Sequence, residues 1–431
     1  MIPFYKTLST LAGLLGWPYF YWHLKSRGRG ESFLPRLGVR LPPPPPPGSF
    51  RIWLHGVSVG EILAAVPLVQ ELKRLLPQAS IIITTGTETG QAVARKNFAP
   101  LGALVCYFPL DIPWAVSRYL GHLRPQVFVT LESEIWPNFL TQAHEAGVRL
   151  ALVNGRLSDK SFRRFVKYRR YIVDILNNIE LFAAGSLQDF ERYQALGLPP
   201  GRLHLTGNLK IDRLLQAREP EKAAEFRHLL QLDAVQPNQP PVFLAASTHP
   251  GEEDVVLETY QALRAPYPAL LLLLAPRHPE RAPELGRLLK QFHLPCHYLS
   301  RLKSGQETRG HSVVIIDTIG DLFSLYGLAD AAFVGGSLVA HGGQNILEPA
   351  AWGLAPIYGP HLQNFRWAQT ILEEARAGTM ILDVPSLTAA LRRLLDHPEE
   401  RRAQGQRARD ALTPHQGAAR RQAELIAGLC G

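Results

Sequence analysis

The chain has 431 residues, 46% hydrophobic and 19% charged, a composition that excludes general disorder and supplies enough apolar matter for more than one core. Lys and Arg number 46 against 37 Asp and Glu, a formal charge of +9 that favours anionic partners: nucleic acid, an acidic membrane surface or phosphorylated substrates. Cys106, Cys296 and Cys430 stand far apart with no C-x-x-C spacing, which argues against a disulfide framework or structural zinc and favours a reducing compartment.

The amino end poses a membrane question. Thr7 to Trp22 is a run of sixteen uncharged residues followed by Lys25, Arg27 and Arg29. It is short for a spanning helix, Pro18 would kink it, and aromatics stand where a signal peptide would be cleaved. Aromatics beside a basic flank suit the membrane–water interface, so the expectation is a retained anchor or interfacial helix with the rest of the chain cytoplasmic. Pro42 to Pro47 then make a semi-rigid spacer.

After the spacer, short apolar runs alternate with helical patterns. Strands are expected at 51–54, 81–84, 105–108, 127–131, 150–153 and 181–184, with helices such as 62–76 and 135–146 between them. The rhythm breaks across the polar stretch 213–241 and restarts at 242–246, 270–275, 313–316, 331–335 and 355–358. Such βαβα alternation predicts two doubly wound α/β domains with parallel sheets. The divisions are an anchor and spacer over 1–48, a first domain over 49–210, a linker over 211–241, a second domain over 242–396, and surface helices over 397–431. Ligands of such sheets bind beyond the carboxyl ends of strands, so a cleft between the domains is the expected site.

Several chemistries lose their warrant: there is no Walker A loop, no H-E-x-x-H, no G-x-G-x-x-G after a strand and no D-x-D. Gly56-Val57-Ser58-Val59-Gly60 matches the G-x-S-x-G of a hydrolase nucleophile elbow, which keeps a membrane-associated serine hydrolase using Ser58 as the alternative reading. Glu61 in the same loop opens the next helix, where the dipole favours its ionised form; it is either a helix cap or a base for an alcohol. Glu132 and Glu134 close another strand, and alternation would place both on one side, close enough to repel. Residues 149–170 carry eight Lys or Arg against one acid, Asp159, with Phe162, Phe165 and Tyr168 interleaved. The patch suits phosphates of an amphiphile or a nucleic-acid backbone.

In the second half Ser247-Thr248-His249 follows one strand and Pro276-Arg277-His278 the next, both where a ligand should lie. Ile319-Gly320-Asp321 starts a helix, and Gly335-Gly336-Ser337 follows a strand. His341 to Pro349 opens another helix, whose amino end and exposed glycine amides would attract a phosphate, with Glu348 placed to accept from both hydroxyls of a ribose.

Taken together, HGVSVGE (55–61), ESEIWPN (132–138), NGRLSDKS (154–161), GNLKID (207–212), ASTHPGEE (246–253), APRHPER (275–281) and GGSLVAHGGQNILEPAAWG (335–353) resemble the 3-deoxy-D-manno-octulosonic acid (Kdo) transferases of lipopolysaccharide assembly. The resemblance implies a GT-B fold, two facing Rossmann-like domains, and inverting, metal-independent transfer of Kdo from CMP-Kdo to a lipid A precursor, lipid IVA, at the inner membrane. It implies Glu61 as general base, Glu132 and Lys210 as transition-state stabilisers, an acceptor-binding first domain and a CMP-Kdo-binding second one. CMP would lie against Pro276, Arg277, Ile319, Gly320, Asp321, Asn345, Ile346, Leu347 and Glu348. No cofactor, metal or nucleic-acid partner is implied. Ser58, Ser247, His249 and Gly336 remain as further site residues. Gln344 and Gly155 depart from the family pattern, which often has His and Ala there.

Overall fold

A computed structural model describes residues 5–13, 15–16, 22, 32–232 and 240–430. Part of the expected anchor run, with Lys25, Arg27 and Arg29, lies outside them, as does most of the Gln-Pro-rich end of the linker. Two compact units emerge, one of Met1–Arg213 with His415–Gly431 and one of Leu214–Pro414.

The first unit is built on seven parallel strands: β1 (Arg51–His55), β2 (Ser80–Thr85), β3 (Leu104–Tyr107), β4 (Val127–Leu131), β5 (Arg149–Gly155), β6 (Leu181–Ala184) and β7 (Leu203–Leu205). They are ordered β3-β2-β1-β4-β5-β6-β7. Chain order therefore reverses between β1 and β4, the switch point beyond whose carboxyl ends ligands of such sheets bind. Apolar clusters cover both sheet faces; on one of them Trp53 sits among the rings of Phe108, Tyr119, Phe128 and Phe139. The middle strands consequently hold continuous apolar runs, such as Ile52–Leu54, Val127–Val129 and Leu150–Val153, rather than alternating, the pattern of a sheet buried on two sides.

The second unit repeats the plan with β8 (Val242–Thr248), β9 (Leu271–Pro276), β10 (His297–Tyr298), β11 (Val313–Ile315), β12 (Ala331–Val334), β13 (Pro356–Tyr358) and β14 (Thr379–Met380). Their order is β10-β11-β9-β8-β12-β13-β14, all parallel, with the reversal between β8 and β12. Five consecutive leucines, Leu270 to Leu274, are buried through the centre of this sheet.

The tail does not behave as surface helices alone. Pro398–Asp410 stays with the second unit, but Ala418–Gly428 packs on the Val59–Leu75 helix of the first, burying Ala418, Ala419, Ala423 and Ile426. Its start is tied down by Asp212, whose carboxylate accepts from the Gly417 and Ala419 N–H groups, each at 2.8 Å. Residues 5–13 are helical and dock on the first unit: Tyr5 donates to Asp111 at 3.0 Å, and Asn138 donates to the Ser9 hydroxyl at 2.9 Å. Among the described residues no helix is long and apolar enough to cross a membrane.

Candidate active site

In the first unit the functional groups gather at the β1/β4 reversal. Ser58 is the N-cap of Val59–Leu75, and Glu61 is its third residue. The Ser58 hydroxyl accepts from the Glu61 N–H at 3.2 Å and donates to the Glu61 carboxylate at 2.6 Å, whose other oxygen accepts from the Val57 N–H at 2.9 Å. This capping interaction fixes the carboxylate's rotamer. A solvated cap would end there, but Glu61 is only 7% exposed. Burial raises its pKa from the ordinary value, Ser58 and Val57 counter that by hydrogen bonding, Glu132 adds to it and Lys210 opposes it.

Glu132 does not sit in extended alternation with Glu134. β4 ends at Leu131, and Glu132 takes a left-handed backbone at φ 57°, its N–H bonded to the Val153 carbonyl at 2.9 Å. That turn sends its carboxylate to the Lys210 ammonium at 2.5 Å. Glu134 does not cap the following helix either, whose N-cap is Trp136 without a side-chain bond. The expected crowding of carboxylates is nonetheless real: burial, then Glu61 and Glu132, push Glu134 up to about 7.

Lys210 is delivered by the helix Leu209–Gln216. The Asn208 side chain accepts from the Lys210 N–H at 2.8 Å, and that of Asn154, left-handed at φ 51°, accepts from the Leu209 N–H at 2.9 Å. The Lys210 stem passes over Gly60, where an added Cβ would lie 4.0 Å from its Cε. Glu61, Glu132 and Lys210 thus come together from three elements, a buried carboxylate beside an ion pair. Asn154 and Asn208, which hold the lysine segment, were missed among the site residues; each lies inside a quoted motif, but only the fold reveals them as orienting groups.

The hydrolase alternative fails here. The Ser58 hydroxyl is committed to Glu61 rather than to an imidazole. His55, nearby in the chain, is buried with Nδ1 against the Thr84 carbonyl and hydroxyl, both at 3.1 Å.

In the second unit Pro276 ends β9, and the Arg277 N–H bonds the Thr248 carbonyl at 3.0 Å, leaving the Arg277 side chain exposed. Asn345 donates to the Glu348 carboxylate at 3.4 Å and accepts from the Leu347 N–H at 3.2 Å. Burial pushes Glu348 up to about 7, with Asn345 and Arg277 acting in the opposite direction. Ile346 and Leu347 are buried, so their share of a site is backbone and shape. Ile319 is 89% exposed, whereas Asp321 is buried against Lys303 at 2.8 Å and Lys222 at 3.1 Å. Burial resists ionisation of Asp321, but bonds from Lys303, Thr318 and Lys222 outweigh it and hold its pKa below the ordinary value. Gly320, at φ 85°, turns its carbonyl to Lys222 at 2.9 Å.

Two expectations for phosphate binding need correction. The helix after the glycines, Leu347–Ala351, has only five residues, too few to sum a useful dipole. The amides of the Gly335-Gly336-Ser337 turn are already occupied. Glu252, fully buried, accepts from the N–H groups of His249, Gly336, Ser337 and Leu338 at 2.7 to 2.9 Å. Gly335 permits this approach, since a Cβ there would meet a Glu252 oxygen at 2.7 Å. Ser247, left-handed at φ 53°, and Gly336, at φ 65°, shape the same junction of β8 and β12. Glu252 was overlooked because an acid in a first helical turn reads as an ordinary dipole partner.

A family model described as 3-deoxy-D-manno-octulosonic-acid transferase (kdotransferase) matches residues 31–213. The 3-deoxy-D-manno-octulosonic acid transferase of Haemophilus influenzae is 36% identical over 89% of this chain and 87% of its own. That of Bordetella pertussis is 34% identical over 93% of each. The chain belongs to the Kdo transferase family. It is a glycosyltransferase. A UDP-GlcNAc 2-epimerase from Neisseria meningitidis, solved with UDP-GlcNAc, matches with a TM-score of 0.57 at 13% identity over 88% of this chain and 99% of its own. At that identity the likeness concerns the fold alone, and it agrees with the two parallel-sheet α/β domains of GT-B glycosyltransferases. Against the Kdo transferase pattern, the Gly155 departure has a local reason: a Cβ would lie 3.0 Å from the buried Tyr193 ring and 2.8 Å from Leu152.

Proposed function

We propose that this Kdo transferase moves Kdo from CMP-Kdo to a hydroxyl of lipid IVA, or a related bisphosphorylated lipid, in one inverting and metal-independent displacement. The observation that carries the reading is Glu61: a nearly buried carboxylate, fixed in rotamer, with a raised pKa, beside a Lys210–Glu132 pair. Glu61 would take the acceptor's hydroxyl proton as the new C–O bond forms at the anomeric carbon. The bond to the phosphate oxygen breaks, and CMP leaves with the electron pair from the opposite face. Lys210 and Glu132 would hold charge steady around the reacting centre. Arg277, cationic and exposed, would neutralise the departing phosphate, and Glu348 would accept from the ribose hydroxyls. The absence of any D-x-D sequence supports leaving-group stabilisation by the protein's own cation.

The acceptor and its surroundings fit two exposed surfaces of the first unit. Helices Asp159–Lys167 and Arg169–Leu176 break at Tyr168, bury Phe165, and expose Arg163, Arg164, Lys167, Arg170, Val166, Tyr168 and Tyr171. Leu8, Leu11 and Leu15, spaced by three and four, are exposed as well. We infer an interfacial helix and a basic, aromatic platform on the cytoplasmic side of the inner membrane. Full-length protein incubated with CMP-Kdo and lipid IVA should release CMP and add one or more Kdo masses to the lipid, with inverted anomeric configuration by NMR. Retained configuration, or CMP release without lipid mass gain, would contradict the mechanism or the acceptor respectively.

A further inference from the structure

Beside the nucleotide residues of the second unit lies a group of imidazoles, the site residue His249 among them, to which no role has yet been given. The His249 ring, nearly buried, is stacked on that of His341 with centroids 4.3 Å apart and planes 17° apart. His278 stands edge-on to it at 6.3 Å, and the Gln344 side-chain nitrogen lies 3.4 Å from its Nε2. The ring rests against Gly336, where an added Cβ would meet it at 3.3 Å. Three loops, those after β8, β9 and β12, thus bring nitrogen-bearing groups to one point.

Charge around that point is unbalanced toward the positive. The charged and titratable groups facing His249 are His341, His278, Arg277 and Glu252. Glu252 is the sole acid among them, and its two oxygens already accept four backbone N–H groups. The exposed Glu280 pairs with the far side of the group, 3.4 Å from His278. Burial, and after it His341, lower the pKa of His249 from its ordinary value. A site that collects donors and disfavours its own protonation is completed by an anion.

Arg277 and the Gln344-Asn345 pair join this point to the nucleotide residues: the Arg277 N–H bonds the carbonyl of Thr248, the neighbour of His249, at 3.0 Å, and Gln344 lies on His249 while Asn345 bonds Glu348. With the ribose on Glu348 and the phosphate on Arg277, the sugar continues to the side of His249. In an octulosonic acid donor the anomeric carbon carries both the phosphate ester and a carboxylate, so a second anion follows the phosphate immediately.

We propose that His249, backed by His341 and flanked by Gln344 and His278, seats the carboxylate on the donor's anomeric carbon. The assignment rests on the CMP-Kdo reading above. It makes the cluster the element that distinguishes an acidic sugar from a neutral one on the same nucleotide.

The test compares binding of CMP-Kdo and its C1 carboxamide by the full-length protein. Wild type should bind the carboxylate about tenfold more tightly or better, the scale of one charge-assisted hydrogen bond. The preference should narrow as pH rises through the imidazole range, since only the protonated ring carries charge; the ratio cancels pH effects on nucleotide contacts. His249→Gln should bring the ratio close to one, and His341→Gln should reduce it, with thermal protection by CMP reporting an intact nucleotide site. A wild-type ratio near one, or variants that keep the wild-type ratio, would overturn the carboxylate seat. Failure of folded wild-type protein to bind either CMP or CMP-Kdo would instead overturn the donor reading beneath it.

Discussion

Glu61 performs two jobs with one set of bonds. As the third residue of its helix it donates its N–H to the Ser58 cap, and the bonds its carboxylate accepts from the Ser58 hydroxyl and the Val57 N–H aim that carboxylate. Its basicity is a balance: burial and Glu132 raise its pKa, while Lys210 opposes them. Lys210→Met removes the opposing cation, so the acid limb of kcat/KM should move to higher pH as well as the rate falling; an unmoved limb would show that the ammonium does not act on Glu61. Glu348 supplies a second titration. Its pKa of about 7 means that it becomes an ionised acceptor as pH rises through that value, so CMP affinity should strengthen across pH 6 to 8. Glu348→Gln should bind CMP more weakly at pH 8 and lose that component, measured as the wild-type minus variant difference by calorimetry. Glu61, Glu132 and Glu348 stand out in the sequence because each borders a strand-to-helix loop, Glu132 at its start and the other two in the first turn of the helix that follows. Lys210 does not: it lies one residue inside an ordinary helix, and its importance comes from Glu132, 78 positions away, turning left-handed to meet it.

Among the elements, the long apolar strands declared themselves, and β4 and β6 have the expected limits. β7, β10 and β14 did not, since stretches of three, two and two residues carry no periodicity. The glycine-rich turn after β12 was legible as a set of free amides but not as one already satisfied from within. The partner, Glu252, lies 84 residues earlier than Gly336, and only the pairing of β8 with β12 brings the two together. This turn is therefore a strut rather than a phosphate cradle. Glu252→Gln replaces an anion accepting four N–H groups by an amide whose nitrogen cannot accept. A loss of about 1–3 kcal/mol or more is expected in denaturant unfolding, together with weaker CMP binding. A variant as stable as wild type would show that the four bonds contribute little.

Across the whole chain, the carboxyl tail is the part whose place the sequence concealed. Its Arg-rich composition reads as solvated, yet every third or fourth residue from Ala419 to Ile426 is small or apolar, and that stripe covers the Val59–Leu75 helix that carries Glu61. The tail also reaches the lysine segment. His415 Nδ1 accepts from the Asn208 N–H at 3.1 Å, and burial pushes its pKa down to about 4. With a folded pKa below the unfolded value of about 6.5, the unfolded chain binds the proton first, so stability should fall as pH drops from 6.5 toward 4. His415→Gln keeps an acceptor without the titration and should flatten that part of the urea-midpoint profile; an unchanged slope would assign the acid sensitivity elsewhere.

The role proposed for the helix-capping Glu61 is that of base in Kdo transfer. It is tested most directly by the initial rate of Kdo transfer from CMP-Kdo to lipid IVA, wild type against Glu61→Gln, in detergent. Glutamine preserves the volume and can still accept from Val57, so the variant should remain folded and bind CMP. Transfer should nevertheless fall by roughly 10²–10⁴-fold, the usual contribution of a positioned base. A folded variant that transfers Kdo at near the wild-type rate would leave Glu61 a cap and nothing more.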